Sequence, residues 1–214
     1  MGLLPLDLPR FVPDDRYTLA QWQAIERGTG KRYEYHDGLL VSVEAMAGGS
    51  FQHSVLAGNV IGEVRNAIVA AERADGRFAG CNALASDLRI AVDGGTRYLY
   101  ADAAVVCGRP VYDASIATAI VNPTVVVEVL SPSSEGYDRG LKFDFYGALA
   151  TLREYVIVEQ ERRRVEVRYR ADAGAPWRYD IHTEAGETAG LPSLGVELPL
   201  DGVYRNWEAP EVKR

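Results

Sequence analysis

Lysine is scarce in this sequence, which has three lysines against twenty arginines. Basic residues do not outnumber acidic residues. The formal net charge is −7, and the isoelectric point is about 5.1. This balance excludes a strongly basic protein that coats nucleic acid and limits any DNA contact to a local patch. The chain also lacks a run of about 18 apolar residues that could cross a bilayer, and its start lacks the basic region of a signal peptide. We therefore expect a cytoplasmic protein that does not associate with membranes.

Cysteine is equally rare. The two cysteines, Cys81 and Cys107, stand in apolar, strand-like segments without a CxxC spacing or a nearby histidine. This pattern predicts buried thiols in a reducing compartment, in preference to a disulfide or a zinc site.

The sequence has enough apolar residues, 47% of 214, to bury a sizeable core. Helical and strand patterns intermingle without an internal repeat, which favours a mixed α/β fold with one sheet carrying hairpins and helices packed on it. We expect a single domain over 1–214. The predicted helices are 17–26 with Thr18 as N-cap, 50–73 with Ser50 as N-cap, and 138–150. The predicted strands are the hairpin 32–45 around Asp37-Gly38, then 82–92, 97–107, 124–130, 153–159 and 163–170.

One acidic residue lies in a segment that is otherwise apolar. The segment 124–130, TVVVEVL, is typical of a strand covered on both faces, yet it contains Glu128. An unpaired carboxylate buried there would cost several kcal/mol or take up a proton. A cation near Glu128 is the simplest remedy.

Asp102 raises the same question, because it lies inside the apolar run YLYADAAVV. Two acids set into core-like strands suit a hard divalent ion such as Mg²⁺, which binds one or two carboxylates and completes its shell with water or phosphate oxygens. Salt bridges from Asp102 and Glu128 to two of the twenty arginines are an equally simple explanation from the residues alone.

Lys142 is the lysine that lies within a predicted core element. It shares a helical face with Asp138 and Tyr146, while the neighbouring stripe of Leu141, Phe145 and Leu149 is predicted to pack on the sheet. An ammonium group offers a compact charge that guanidinium cannot replace. A solvated helix lysine is the alternative interpretation.

These residues resemble a known family. The segments YEYHDG (33–38), QH (52–53), EVLSPSS (128–134), DRGLKFDFY (138–146) and REYVIV (153–158) are similar to the Uma family of restriction endonucleases, within the PD-(D/E)xK nuclease superfamily. The resemblance covers about residues 18–170 and leaves 171–214 as a C-terminal strand extension.

The resemblance implies a restriction-endonuclease-like core and cleavage of DNA phosphodiester bonds with Mg²⁺ or Mn²⁺. By position, Asp102 and Glu128 would hold the metal, and Lys142 would orient or help to deprotonate the attacking water. Glu34 matches an additional acid near the metal, and His53 matches a position common in the family. The nuclease class also implies a homodimer or higher homo-oligomer, in which two active sites serve two strands.

Two positions depart from the superfamily pattern. Ala101 stands where the signature has proline, and Leu130 stands where it has lysine, so Lys142 would replace that lysine from the following helix. Leu130 and the acidic charge leave open a catalytically inactive nuclease fold that binds DNA or regulates a partner. A metal-dependent hydrolase of smaller phosphoesters is a third hypothesis.

Other polar residues have plainer interpretations. His53 in the first turn of a helix is typical of a locally hydrogen-bonded histidine, and Glu34 beside Asp37-Gly38 is compatible with hairpin chemistry. In the run 161–170, Glu166, Arg168 and Arg170 alternate with apolar residues, which predicts a solvated outer face.

Overall fold

The computed structural model describes residues 15–43, 50–76 and 80–209. The first residues of the chain and the end of the predicted hairpin, 44–45, lie outside them. The helices are α1 (Leu19–Thr29), α2 (Phe51–Asp75), α3 (Glu135–Arg139), α4 (Leu141–Gly147) and α5 (Leu200–Val203). The strands are β1 (Tyr33–His36), β2 (Leu39–Ser42), β3 (Cys81–Ala85), β4 (Arg89–Val92), β5 (Arg97–Tyr100), β6 (Ala103–Cys107), β7 (Ala119–Ile120), β8 (Val125–Leu130), β9 (Glu154–Glu159), β10 (Val165–Tyr169), β11 (Arg178–His182), β12 (Thr188–Leu191) and β13 (Val196–Pro199).

The mixed α/β class predicted from the sequence is confirmed, but the strands are divided among three sheets. A five-stranded sheet has the order β2-β1-β5-β4-β7, a six-stranded sheet has the order β11-β10-β9-β8-β6-β3, and β12 pairs with β13. Both large sheets are mixed, because β8 runs parallel to β9 and β4 runs parallel to β7. The strand that carries Glu128 therefore lies in the interior of the six-stranded sheet.

A bent hairpin joins the two large sheets. The predictions of continuous strands over 82–92 and 97–107 are wrong, because both arms break at the same level. One half of the hairpin pairs Ala85 with Ala103 in the six-stranded sheet, and the other half pairs Arg89 with Tyr100 in the five-stranded sheet. The alternation of apolar residues continues with the same period across the bend, so the sequence pattern does not reveal the break. Asp102 lies in the bend instead of within a strand.

The two faces of β8 pack against different layers, as its alternation predicts. Val125, Val127 and Val129 belong to the cluster that packs on α2, whereas Val126 and Leu130 belong to the cluster beneath α4. The strand is buried along its whole length, so Glu128 has no route to solvent except through an internal cavity.

The long helix α2 begins where predicted. The Ser50 side chain accepts a hydrogen bond from the His53 backbone N–H at 3.0 Å, which satisfies an otherwise unpaired donor of the first turn. Val60, Val64 and Ile68 are buried at helical spacing. The β12–β13 hairpin packs on the same helix, so the C-terminal strands help to fix its position.

The first helix also begins at its predicted cap. The Thr18 side chain accepts from the Gln21 N–H, and the Gln21 side chain accepts from the Thr18 N–H, which completes a capping box. We expect Thr18→Ala to lower the free energy of unfolding by about 1 kcal/mol, measured by urea denaturation. Thr18→Ser keeps the acceptor oxygen and should remain within about 0.5 kcal/mol of wild type. Equal losses in both variants would contradict the capping explanation.

The predicted helix 138–150 is instead two short helices. It breaks at Gly140, whose backbone has a non-helical ψ of −102°. A side chain at this position would lie 3.0 Å from the Gly136 carbonyl oxygen, so the tight end of α3 favours glycine. The packing prediction was also wrong in part, because Leu141 is 59% exposed while Lys142 is buried.

The two cysteines form a disulfide in the structure, which corrects the prediction of free thiols. Cys81 and Cys107 are directly opposite each other on β3 and β6, and their sulfur atoms are bonded. The sequence gives no CxxC signal because the cross-strand pairing, not local spacing, brings these residues together.

The outer face of β10 is not solvated, contrary to the prediction. Glu166 is buried and receives Arg139 at 2.7 Å and Arg168 at 2.8 Å, and Arg170 is buried with its guanidinium on the Leu152 carbonyl. Arg139 of α3 and Arg168 of β10 itself neutralise Glu166, which a pattern of alternating charge cannot reveal. None of the helices in the described residues is both long enough and apolar enough to span a membrane.

Candidate active site

A cavity of about 410 Å³ opens where the hairpin bend, the first turn of α2, the middle of β8 and helices α3 and α4 meet. The bend and the strand bring acids into a predominantly apolar wall. The lining residues of this cavity, called the bend cavity below, are Arg32, Val43, His53, Ser54, Ala57, Ser86, Tyr100, Ala101, Asp102, Glu128, Val129, Ser134, Asp138 and Lys142.

Asp102 is fixed by the end of a strand ladder. The pairing of β6 with β8 reaches Ala103 and Val127, and the next backbone donor, the Val129 N–H, donates to Asp102 Oδ2 at 2.7 Å. The Nε2 atom of His53 lies 3.3 Å from the same oxygen. Asp102 is therefore held by its Oδ2 atom while the carboxylate faces the cavity.

His53 is held close to this carboxylate. Burial alone would lower the pKa of His53, but the hydrogen bond and the charge of Asp102 outweigh it and raise that pKa above its ordinary value. The helix begins at Ser50, so the N-terminal turn of α2 positions the imidazole beside Asp102.

Glu128 is buried, with 3% of its surface exposed, and its Oε1 atom has no hydrogen-bond partner among the described residues. The Nζ atom of Lys142 lies 3.0 Å from Oε1, at ion-pair distance. Burial, reinforced by the charges of Asp138 and Asp102, raises the pKa of Glu128 well above its usual range, against the opposing charge of Lys142. In the absence of another cation, this carboxyl group tends to hold a proton.

Lys142 lies at the centre of three carboxylates. Its Nζ atom is 3.0 Å from Glu128, 3.3 Å from Glu34 and 3.6 Å from Asp138. Burial by itself would lower the pKa of Lys142, but the carboxylates of Glu128 and Glu34 raise it well above its ordinary value. The side chain is therefore an ammonium ion, and the interpretation as a solvated helix lysine is wrong.

Glu34 supports Lys142 from behind, and it does not line the bend cavity. It is completely buried and accepts hydrogen bonds from the Tyr137 hydroxyl at 2.7 Å and the Tyr100 N–H at 3.2 Å, with His36 Nε2 at 3.2 Å. Burial would raise the pKa of Glu34, but Lys142, His36 and Tyr137 together lower it.

The two acids beside the Lys142 ammonium group thus differ in their hydrogen bonding. Glu34 is stabilised as a carboxylate by several donors, whereas Glu128 has the Lys142 ammonium alone beside its Oε1 atom among the described residues. Because Glu34 carries the negative charge that balances Lys142, Glu128 remains available for a second cation. Asp102 and Glu128 both face the bend cavity, and no guanidinium group pairs with either of them among the described residues.

The chain matches a known family over most of its length. The family model described as "Putative restriction endonuclease", Uma2, matches residues 17–201. The chain belongs to the Uma2 family.

Relatives of this Uma2 chain are found in cyanobacteria. An uncharacterized protein of Synechocystis, slr1290, is 32% identical over 197 residues, which cover 92% of this chain and 93% of that protein. A second, sll1609, is 28% identical over 149 residues, 70% of this chain and 78% of that protein. A solved structure from Anabaena variabilis, described as a "putative nuclease belonging to DUF820", superposes on this chain with a TM-score of 0.59 at 14% identity. That superposition covers 82% of this chain and 90% of the other, and it shows that the two share a fold.

Two carboxylates that line the bend cavity of the Uma2 chain, Asp102 and Glu128, could hold a divalent ion. Groups of three or more His, Cys, Asp or Glu side chains placed to hold a metal are not found in residues 15–43, 50–76 and 80–209. Mg²⁺ is commonly bound through one or two carboxylates plus water and substrate phosphate oxygens. Asp102 and Glu128 are two such carboxylates, and Glu128 Oε1, buried beside the Lys142 ammonium, is the oxygen atom that such an ion would contact.

Several residues of the Uma2 site were not selected from the sequence. Tyr137 and His36 hold Glu34, and Asp138 completes the ring around Lys142. Their only sequence signal is position: Tyr137 and Asp138 fall one turn before Lys142, and His36 is two residues after Glu34 on the same face of β1.

The Tyr137 hydroxyl should contribute measurably to stability, because it donates to a buried carboxylate. We expect Tyr137→Phe to lower the free energy of unfolding by roughly 1.5–3 kcal/mol, measured by denaturant titration at pH 7. The exposed Tyr179 on β11 offers a matched control, and Tyr179→Phe should remain within about 0.5 kcal/mol of wild type. If both variants lose the same small amount, the Glu34 hydrogen bond is not a stabilising one.

Proposed function

We propose that this Uma2 chain is a metal-dependent endonuclease that hydrolyses DNA phosphodiester bonds with an activated water molecule. One observation carries the proposal: Asp102 and Glu128 face the same cavity as the buried ammonium of Lys142, and no arginine of the described residues neutralises either acid. Lys142 on α4 thereby replaces the signature lysine, because Leu130 occupies the usual position of that lysine. The family membership supports the reaction class.

Asp102 and Glu128 would hold a Mg²⁺ or Mn²⁺ ion. Such an ion, when bound, lowers the pKa of water and stabilises the charge that develops on a phosphodiester. The protein's contribution is to present Asp102 rigidly through the Val129 N–H and to present the Glu128 carboxyl group, whose Oε1 atom lies beside Lys142, to the same cavity.

Lys142 would orient the attacking water beside Glu128. Its Nζ atom lies beside Glu128 and lines the cavity, and Glu34 holds it there from the opposite side. Preorganised charges of this kind act strongly in a site that excludes water. His53 would keep Asp102 in position through the 3.3 Å contact of Nε2 with Oδ2.

A DNA-binding protein that no longer cleaves is the second candidate. It is favoured by Leu130 in the usual lysine position and by the net charge of −7. Homo-oligomerisation, which the nuclease class implies, stays a prediction.

The test uses purified protein with supercoiled and linear DNA in Mg²⁺, Mn²⁺ or EDTA. We expect nicking or cutting in either metal, none in EDTA, and loss of activity in Glu128→Ala. Glu72→Ala on the exposed side of α2 is the matched control and should remain active. Binding without cutting in every metal would support the second candidate, and hydrolysis of small phosphodiesters alone would replace DNA as the substrate.

A further inference from the structure

We infer that Arg32 is a phosphate-binding residue of the bend cavity, which holds the phosphodiester backbone against the acids on the other side. This inference rests on the proposed function and adds a residue that neither the superfamily signature nor the sequence motifs contain. Arg32 lies in the turn between α1 and β1 and lines the bend cavity together with Asp102 and Glu128.

A phosphate entering this cavity needs a cation that is free to bind it. The acids Asp102, Glu128 and Asp138 all line the cavity and repel an anion. Lys142 is surrounded by carboxylates and only 6% of its side chain is exposed. Arg32, with 37% of its side chain exposed, is the remaining arginine or lysine in the described lining.

The guanidinium group of Arg32 is held in place before any ligand arrives. Its Nη1 atom donates to the Ser86 carbonyl at 2.7 Å, and its Cζ atom lies 5.6 Å from the centre of the Tyr100 ring. That ring is fixed in turn by a 3.0 Å hydrogen bond from its hydroxyl to Glu26. Stacking on an aromatic face and a carbonyl contact leave little conformational freedom to lose on binding.

The other edge of the guanidinium group remains available. Among the described residues, the hydrogen bonds of the Arg32 guanidinium group are all made by Nη1, to Ser86 and more weakly to Asp87 at 3.4 Å. Nε and Nη2 have no partner among the described residues, and together they form the fork that binds two phosphate oxygens. Asp87 is a weak competitor because 95% of its side chain is exposed.

The hairpin bend explains why this residue meets the acids. Ser86 and Asp102 lie on opposite arms of the bend, and Tyr100 ends the strand that precedes it. The bend therefore brings Tyr100 of the five-stranded sheet, which supports Arg32, to the same cavity as Glu128 of the six-stranded sheet. A phosphodiester between them would meet a guanidinium on one side and the cation held by Asp102 and Glu128 on the other.

The test measures binding of a fluorescein-labelled DNA duplex by anisotropy over a series of NaCl concentrations in Ca²⁺. For Arg32→Ala we expect an affinity at least about tenfold weaker at 100 mM NaCl and a salt slope reduced by about one. Arg32→Lys should keep the slope but lose part of the affinity, because an ammonium cannot form the fork. Arg65→Ala, on an exposed position of α2, should match wild type in both measurements.

Calorimetric binding of Mn²⁺ separates this role from a structural one. Arg32→Ala should bind Mn²⁺ as wild type does, since Arg32 contacts neither metal-holding acid. Unchanged DNA affinity and salt slope in Arg32→Ala would overturn the inference and leave the proposed nuclease intact. A loss of Mn²⁺ binding together with DNA binding would also overturn it, in favour of a structural role. Wild-type protein that binds no DNA at any salt concentration would overturn the proposed function, and Arg32 with it.

Discussion

Substituting Asp102 with asparagine is expected to reduce metal-dependent DNA cleavage by at least about 100-fold while the fold is retained. The asparagine carbonyl oxygen can still accept from the Val129 N–H, which donates to Asp102 Oδ2 in the native chain. The backbone at the end of the β6–β8 ladder therefore stays satisfied. What is lost is the negative charge that faces the cavity, and with it one of the two carboxylates proposed to hold Mg²⁺.

The cleavage rate is measured over a range of Mg²⁺ and Mn²⁺ concentrations, beside Mn²⁺ binding by calorimetry and urea denaturation. We expect weaker Mn²⁺ binding and a stability within about 1 kcal/mol of wild type. Asp180→Asn, an exposed acid on β11, should leave all three unchanged. Full cleavage by Asp102→Asn would remove this residue from the metal site and with it the present form of the proposal.

The sequence predicted the burial of Glu128 and Lys142, but not how the residues of the candidate site are arranged. Glu128 stood out because an acid in a continuous apolar strand needs a partner, and Lys142 because it is a rare lysine in a core element. Both are as buried as that reasoning required. The caps at Thr18 and Ser50 were predictable because capping depends on side chains within four residues of each other.

The bend of the hairpin could not be predicted from alternation. A strand that passes from one sheet to another keeps its period of two across the break, so the segments on either side of Asp102 read as one strand. The role of Glu34 was hidden for a related reason. Its partners Tyr100, Tyr137 and Lys142 are distant in sequence, and only the meeting of β1, β5 and the α3–α4 pair brings them together.

Replacing Lys142 with methionine is expected to destabilise the chain at pH 7 by about 3–5 kcal/mol. The reason is that removal of one partner from a buried ionic cluster leaves the others uncompensated. Glu34, Glu128 and Asp138 all lie within 3.6 Å of Nζ, and a methionine side chain of similar length provides no charge for them. The free energy of unfolding is measured by urea titration at several pH values.

The loss should depend on pH in a definite direction. In wild type, the folded pKa of Glu34 is lowered, so Glu34 contributes stability above its unfolded pKa, near 4.5, and loses it as pH falls through the folded value. Without Lys142, burial dominates and the carboxyl pKa values rise, so the variant loses stability as pH rises. The difference between the two proteins should therefore be largest near neutral pH and shrink towards pH 4.

A second substitution identifies the charge responsible for this loss. Lys142→Met combined with Glu34→Gln should recover part of the lost stability at pH 7, because the neutral amide replaces the acid that depends most on Lys142 while keeping the acceptor oxygen for Tyr137. Glu34→Gln alone should destabilise the chain, since Lys142 then has one balancing charge fewer. Additive losses in the double variant, or a Lys142→Met deficit that does not change with pH, would show that Lys142 stabilises the core by packing and not by pairing with these acids.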